Sequence, residues 1–166
     1  SWGHCRSLVA RRQTDCAFAA QTRVDFQPTS FQQMAGLVCI YDTTHYLYLY
    51  LTRGADGRRV VNLMINDLNR LSQPTESGTE TGHDGPVYLK VEVDHDAAWF
   101  FYSLDEREWH RVGGYVEYSK LSDEYFKERG HERFTGAFVG ICCQDFTGEN
   151  AFADFDYFSY QSLNEG

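Results

Sequence analysis

The clearest signal along the chain is an alternation of apolar and polar residues with a period of two. Val87, Leu89, Val91 and Val93 alternate with Tyr88, Lys90, Glu92 and Asp94, the pattern of a strand with one face in a core and one in water. Phe18, Ala20, Thr22, Val24 and Phe26 repeat it, with Gln21, Arg23 and Asp25 on the opposite face. Residues 34–41 (MAGLVCIY) are apolar on both faces, as a central strand requires. Within residues 45–53, Leu47, Leu49 and Leu51 share one face and Tyr46, Tyr48 and Tyr50 the other. Gly54-Ala55-Asp56-Gly57 predicts a hairpin loop that leads into a strand over 59–65.

Residues 67–86 hold Pro74, Gly78, Gly82, Gly85 and Pro86 and read as the longest loop. Asp94-His95-Asp96 turns the strand over 87–94 into another over 98–104, and a short strand follows near 109–112. Residues 121–129 (LSDEYFKER) are the one helical candidate, with Ser122 as cap, acidic residues in the first turn and Gly130 as stop. Two strands over 134–144 and 151–160 close the chain. In the last of them Phe155 and Phe158 fall on opposite faces of a regular strand, so burying both requires a bulge. Many strands and almost no helix predict an all-β fold, an antiparallel β-sandwich of jelly-roll type, as one domain over 1–166.

Composition sharpens this reading. Aromatics make up 16% of the 166 residues, a content that pleated sheets accommodate well. The net charge of -9 repels phosphate backbones, which argues against a nucleic-acid partner and suits neutral ligands such as sugars. No apolar run approaches the roughly 20 residues of a spanning helix, so no membrane partner is expected. The five cysteines are odd in number, and the adjacent Cys142 and Cys143 point to opposite faces of a strand. They predict thiols, mostly buried, in a reducing, cytoplasmic setting. The opening Ser1-Trp2-Gly3 lacks a Met, which suggests a fragment of a longer polypeptide and leaves room for an upstream export signal.

Candidate chemistry is sparse. Asp154 and Asp156 stand at i and i+2, about 7 Å apart along a strand, a spacing that suits an acid/base pair for glycoside hydrolysis. The alternatives are a solvated strand edge or a structural Ca²⁺ held by one of the two with loop carbonyls. Tyr46, Tyr48 and Tyr50 form one aromatic stripe, and Trp99 with Phe101 another. Aromatic faces stack on the C–H faces of pyranoses, so one sheet face carrying both stripes makes a sugar platform; the alternative is packing in a core. The six histidines are scattered without ligand spacing, and no phosphate loop or nucleophile elbow occurs.

Four stretches carry a resemblance: Leu8-Val9-Ala10-Arg11-Arg12-Gln13; Phe31-Gln32-Gln33-Met34-Ala35-Gly36-Leu37; Phe101-Tyr102-Ser103-Leu104-Asp105; and Phe134-Thr135-Gly136-Ala137-Phe138-Val139-Gly140 with Ala153-Asp154-Phe155-Asp156-Tyr157-Phe158. In this order they resemble the C-terminal domain of family 43 glycoside hydrolases of the β-xylosidase type, over residues 7 to 160. The resemblance implies a concanavalin A-like sandwich that follows a catalytic β-propeller on the same polypeptide and has no catalytic residues or cofactor of its own. It implies that Phe134 helps close the xyloside pocket of the propeller, and that xylan or xylo-oligosaccharide is a partner. An independent sugar-binding module and a purely structural or oligomerisation domain are the alternatives. One departure stands out, because Glu106 occupies the turn position where the family carries Gly.

Overall fold

The computed structural model describes residues 5–75, 78–118, 137–149 and 151–163. Its elements are strands β1 (Cys5–Arg12), β2 (Ala17–Asp25), β3 (Gln33–Asp42), β4 (His45–Arg53), β5 (Arg59–Asp67), β6 (Arg70–Ser72), β7 (Thr79–Glu80), β8 (Val87–Asp94), β9 (Ala97–Ser103), β10 (His110–Arg111), β11 (Val116–Glu117), β12 (Phe138–Asp145) and β13 (Asp154–Ser162). No helix occurs among the described residues, and the helix expected over 121–129 lies outside them. The loop expected over 67–86 is interrupted by β6 and β7, both of which pair with β5. Strands of two or three residues are too short to show a period, so the alternation could not reveal them.

The strands form two antiparallel sheets. The front sheet runs β1-β12-β3-β4-β5-β6, with β7 also on β5; the back sheet runs β10-β9-β8-β2-β13, with β11 also on β9. The fold is therefore an antiparallel β-sandwich. Sequence neighbours pair where a short turn joins them, as in β3–β4–β5 and β8–β9, whereas β12 and β13 return from the C-terminal end to different sheets. The Gly54–Gly57 loop closes the β4–β5 hairpin, with Gly57 at φ 82°.

The core lies between the sheets. Leu47, Leu49 and Leu51 from the front sheet face Phe18, Ala20, Val24, Leu89, Val91 and Phe100 from the back sheet, all buried in one cluster. Each large aliphatic or aromatic side chain buried this way contributes roughly 1.5–3 kcal/mol. Phe155, Phe158 and Tyr160 pack on that cluster from β13. They reach it together because the β13–β2 register shifts between Phe155 and Tyr157, the expected bulge.

A buried guanidinium ties the sheets at one end. Arg59 on β5 is 3% exposed and donates to the carbonyls of Phe26, His83, Asp84 and Gly85 at 2.6–3.3 Å. Burial lowers its pKa from the ordinary arginine value. Four carbonyl acceptors shared between its two terminal nitrogens match the fork of an arginine and not a lysine.

Candidate functional site

The tyrosine stripe lies on the face of the front sheet that points away from the main core. Tyr46, Tyr48 and Tyr50 form a second buried cluster there with Met34, Val38, Ile40 and Cys142. Tyr48 is 1% exposed. Tyr48 sits opposite Val38 on β3, and its hydroxyl passes β3 to donate to the Cys142 carbonyl on β12 at 2.9 Å. Tyr50 stacks on Tyr48 with ring centroids 5.1 Å apart. Gln73 Nε2 donates to the Tyr50 hydroxyl at 2.7 Å. Burial raises the Tyr48 phenol well above its ordinary value and Tyr50 to about 12, so both remain neutral. Gly36 pairs with Tyr50 on one side and Cys142 on the other. A Cβ on Gly36 would come within 1.9 Å of the Leu49 carbonyl oxygen, so no other residue fits at this close approach.

Beside Tyr50 the same face opens into a groove of about 940 Å³, lined among others by Phe31, Met34, Asn62, Gln73 and Phe146. Phe31 is 70% exposed on its rim. Arg58 bridges Glu80 at 3.0 Å along the other side. The volume is that of a small-molecule cleft, and its walls mix rings with amides as polyol ligands require.

Trp99 and Phe101 are half-buried on the outer face of the back sheet. Lys90 Nζ lies 4.9 Å from the Phe101 ring centroid and 4.2 Å from that of Trp109. Tyr115 meets Trp99 edge-on at 6.2 Å. The two aromatic stripes thus do not share a face. Leu47 to Leu51 and Phe100 point into one common core, so the alternate residues of β4 and β9 leave the sandwich in opposite directions. The single platform expected from both stripes is replaced by two separate surfaces.

Asp154 faces Asp25 on β2, and Asp156 is the extra residue of the bulge. Asp156 is ion-paired with Arg23, so it is engaged at a solvated edge. No cluster of three or more His, Cys, Asp or Glu side chains suited to a metal occurs among the described residues. Phe134 lies outside the described residues. No disulfide links Cys16, Cys39, Cys142 or Cys143; Cys39 and Cys142 are buried, Cys143 is half-buried and Cys16 is exposed. Cys142 belongs to the outer tyrosine cluster and Cys143 packs on the main core, the opposite facing expected of neighbours.

Sequence reasoning missed the buried carboxylate of Asp145 at the end of β12. It accepts from the Thr147 amide at 2.7 Å, from the Thr147 hydroxyl at 2.5 Å and from the Ala151 amide at 2.7 Å. Burial pushes this carboxyl up, but the hydrogen bonds outweigh it and hold the pKa below the usual value. The signal was present as Asp145-Phe146-Thr147, an acid two residues before a hydroxyl at a strand end, the mark of an Asx turn.

Comparison with known proteins places this architecture. The family model described as "Beta xylosidase C-terminal Concanavalin A-like domain" matches residues 1–161. The chain is 40% identical over 157 residues to the "Beta-xylosidase" of Bacillus subtilis (strain 168), covering 94% of this chain and 29% of that protein. It is 40% identical over 160 residues to the "Putative beta-xylosidase" of Escherichia coli (strain K12), covering 95% of this chain and 30% of that protein. It superposes on the crystal structure of xylan beta-1,4-xylosidase from Bacillus halodurans C-125 with TM-score 0.87 and 33% identity, over 96% of this chain and 30% of that one. The chain therefore spans less than a third of the length of these relatives. With a family model matched along almost its whole length and the two-sheet sandwich that the description names, this chain belongs to the family of C-terminal concanavalin A-like domains of family 43 β-xylosidases.

Proposed function

We propose that this chain is the non-catalytic accessory module of a xylan-degrading β-xylosidase. It packs against a catalytic β-propeller on the same polypeptide, stabilises that domain, and helps shape its xyloside pocket through Phe134. The observation that carries this reading is the pair of coverages: β-xylosidase relatives match 94–95% of this chain but give it only 29–30% of their own length. On this reading the hydrolytic machinery lies in the part of the polypeptide outside the matched segment. The engagement of Asp156 by Arg23 supports the same reading, since an acid/base pair needs both carboxylates open to a substrate. The test is Phe134→Ala in the longer polypeptide. The expected result is a fall of about tenfold in kcat/KM for an aryl β-xyloside with Tm unchanged, the size of one lost apolar pocket contact. An unchanged kcat/KM overturns the role given to Phe134.

A second reading, that the module itself holds xylan or xylo-oligosaccharide, is favoured by the half-exposed Trp99 and Phe101 and by the groove beside Tyr50. It predicts retardation of the chain in a xylan-containing native gel, weakened by Trp99→Ala or Phe31→Ala. Equal mobility with and without xylan removes this reading and leaves the structural role.

A further inference from the structure

The groove beside Tyr50 crosses three strands of the front sheet. Its floor is the outward face of β3, β4 and β5, where Met34, Tyr50, Thr52, Val60 and Asn62 are all buried. Tyr50 stands opposite Asn62, and Thr52 opposite Val60, in the β4–β5 pair. One wall is aromatic. Phe146 follows the last residue of β12, and its amide donates to the Gln32 carbonyl at 3.0 Å, which sets it beside the Phe31–Gln32 segment. The wall beyond β5 is polar, with Arg58 from the β4–β5 loop, Glu80 on β7 and Gln73.

These groups suit an uncharged, polyhydroxylated ligand. The Tyr50 hydroxyl accepts from Gln73 Nε2, and its own proton meets no acceptor among the described residues, so the floor holds a donor for a ligand oxygen. Arg58 Nη1 and Glu80 Oε2 lie 3.0 Å apart, a donor and an acceptor side by side at about the spacing of two neighbouring ring hydroxyls. Phe31 offers an exposed ring to the C–H face of a pyranose. Arg53 and Arg58 are balanced by Asp56 and Glu80, so the groove gives an acidic ligand no advantage. On the back sheet, by contrast, the Lys90 ammonium sits over the Phe101 and Trp109 rings, and Tyr115 meets Trp99 edge-on.

We infer that the groove on the outer face of the front sheet, and not the Trp99 face of the back sheet, holds xylan, and that it takes a run of several uncharged pyranose residues. Phe31 stacks on one sugar ring, Tyr50 donates to a sugar oxygen at the floor, and Arg58 with Glu80 engages a vicinal pair of hydroxyls. A groove of about 940 Å³ lies at the upper end of the range for drug-sized ligands. A single xylose leaves most of it in water, and each further residue adds contacts along its length. The choice of the groove rests on the reading that the module itself holds xylan and is independent of the role of Phe134.

Isothermal titration of residues 1–166 with xylotetraose and with xylose tests it. Xylotetraose is expected to bind at least about tenfold more tightly than xylose, with the same affinity at low and high salt. Phe31→Ala is expected to weaken xylotetraose binding about tenfold with Tm unchanged, since Phe31 is 70% exposed. Tyr50→Phe keeps the ring, removes the hydroxyl, and is expected to weaken binding about fivefold. Trp99→Ala is expected to leave the affinity as it is. Weakened binding in Trp99→Ala with parental affinity in Phe31→Ala overturns the inference and moves the sugar to the back sheet, leaving the reading of a xylan-holding module intact. Xylose bound as tightly as xylotetraose also overturns it. No binding of xylotetraose at millimolar concentration removes that reading and this inference together.

Discussion

The Tyr48 hydroxyl donates to the Cys142 carbonyl at 2.9 Å, crossing β3 on the outer face of the front sheet. The ring thereby spends its polar end on the protein and, at 1% exposure, is out of reach of a ligand. The central tyrosine of the stripe is a packing element, in contrast to the half-exposed Trp99. Tyr48→Phe is expected to cost about 1 kcal/mol, the loss of one hydrogen bond. Tyr48→Ala is expected to cost about 3–5 kcal/mol, by loss of the ring from a packed cluster. Urea unfolding measures both, and neither Tyr48→Phe nor its parent should differ in retardation by xylan.

Glu106 holds a left-handed backbone at φ 65° in the turn after β9. Its amide donates to Ser103 Oγ at 2.9 Å, and Asp105 Oδ1 accepts from the Arg107 and Glu108 amides at 2.9 Å each, so the turn is fixed by its neighbours. The left-handed region costs a non-glycine residue about 1–2 kcal/mol. Glu106→Gly is therefore expected to stabilise the chain by about 1 kcal/mol after the entropy cost of glycine is counted. A Tm rise of about 2–4 °C in calorimetry would register it; a fall would show that the 3.3 Å contact from Gln21 to the Glu106 carboxylate outweighs the strain.

The cysteines should separate by reactivity. Cys39 is fully buried in the core and its pKa is pushed up to about 12 by desolvation, so it stays a thiol at neutral pH. Cys16 is exposed. Mass mapping after brief treatment with iodoacetamide is expected to find Cys16 alkylated and Cys39 untouched until denaturant is added.

Asp145 gives a pH dependence whose sign follows from its lowered pKa. A carboxyl held below its unfolded value of about 3.9 adds stability that is fully present above that pH. The contribution is lost as pH falls through the folded-state value, when the carboxyl gains a proton and the acceptors for Thr147 and Ala151 are weakened. Asp145→Asn is expected to be less stable than the parent at pH 7, with the gap narrowing below about pH 4. Urea midpoints between pH 3 and 7 measure this.

How much of this was legible in the sequence differs by level. The alternation in 87–93 and 18–26 assigned the core faces of β8 and β2, and the leucine and tyrosine faces of β4 separated as expected. The bulge in β13 followed from Phe155 and Phe158 needing one face. Strand partners were not legible, because a period of two tells which residues share a face and not which sheet the strand joins. That is why Trp99 and Tyr48 could be grouped on one imagined surface although they lie on opposite sides of the molecule. The Arg59 fan was invisible for a related reason: its acceptors are backbone carbonyls, which every residue possesses, and only the path of residues 83–85 brings them together.

The most direct measurement is hydrolysis of an aryl β-xyloside by residues 1–166 beside the longer polypeptide under the same conditions. The accessory role predicts turnover by the longer protein and none by the shorter one. Turnover by the shorter chain that disappears with Asp154→Asn or Asp156→Asn would contradict it.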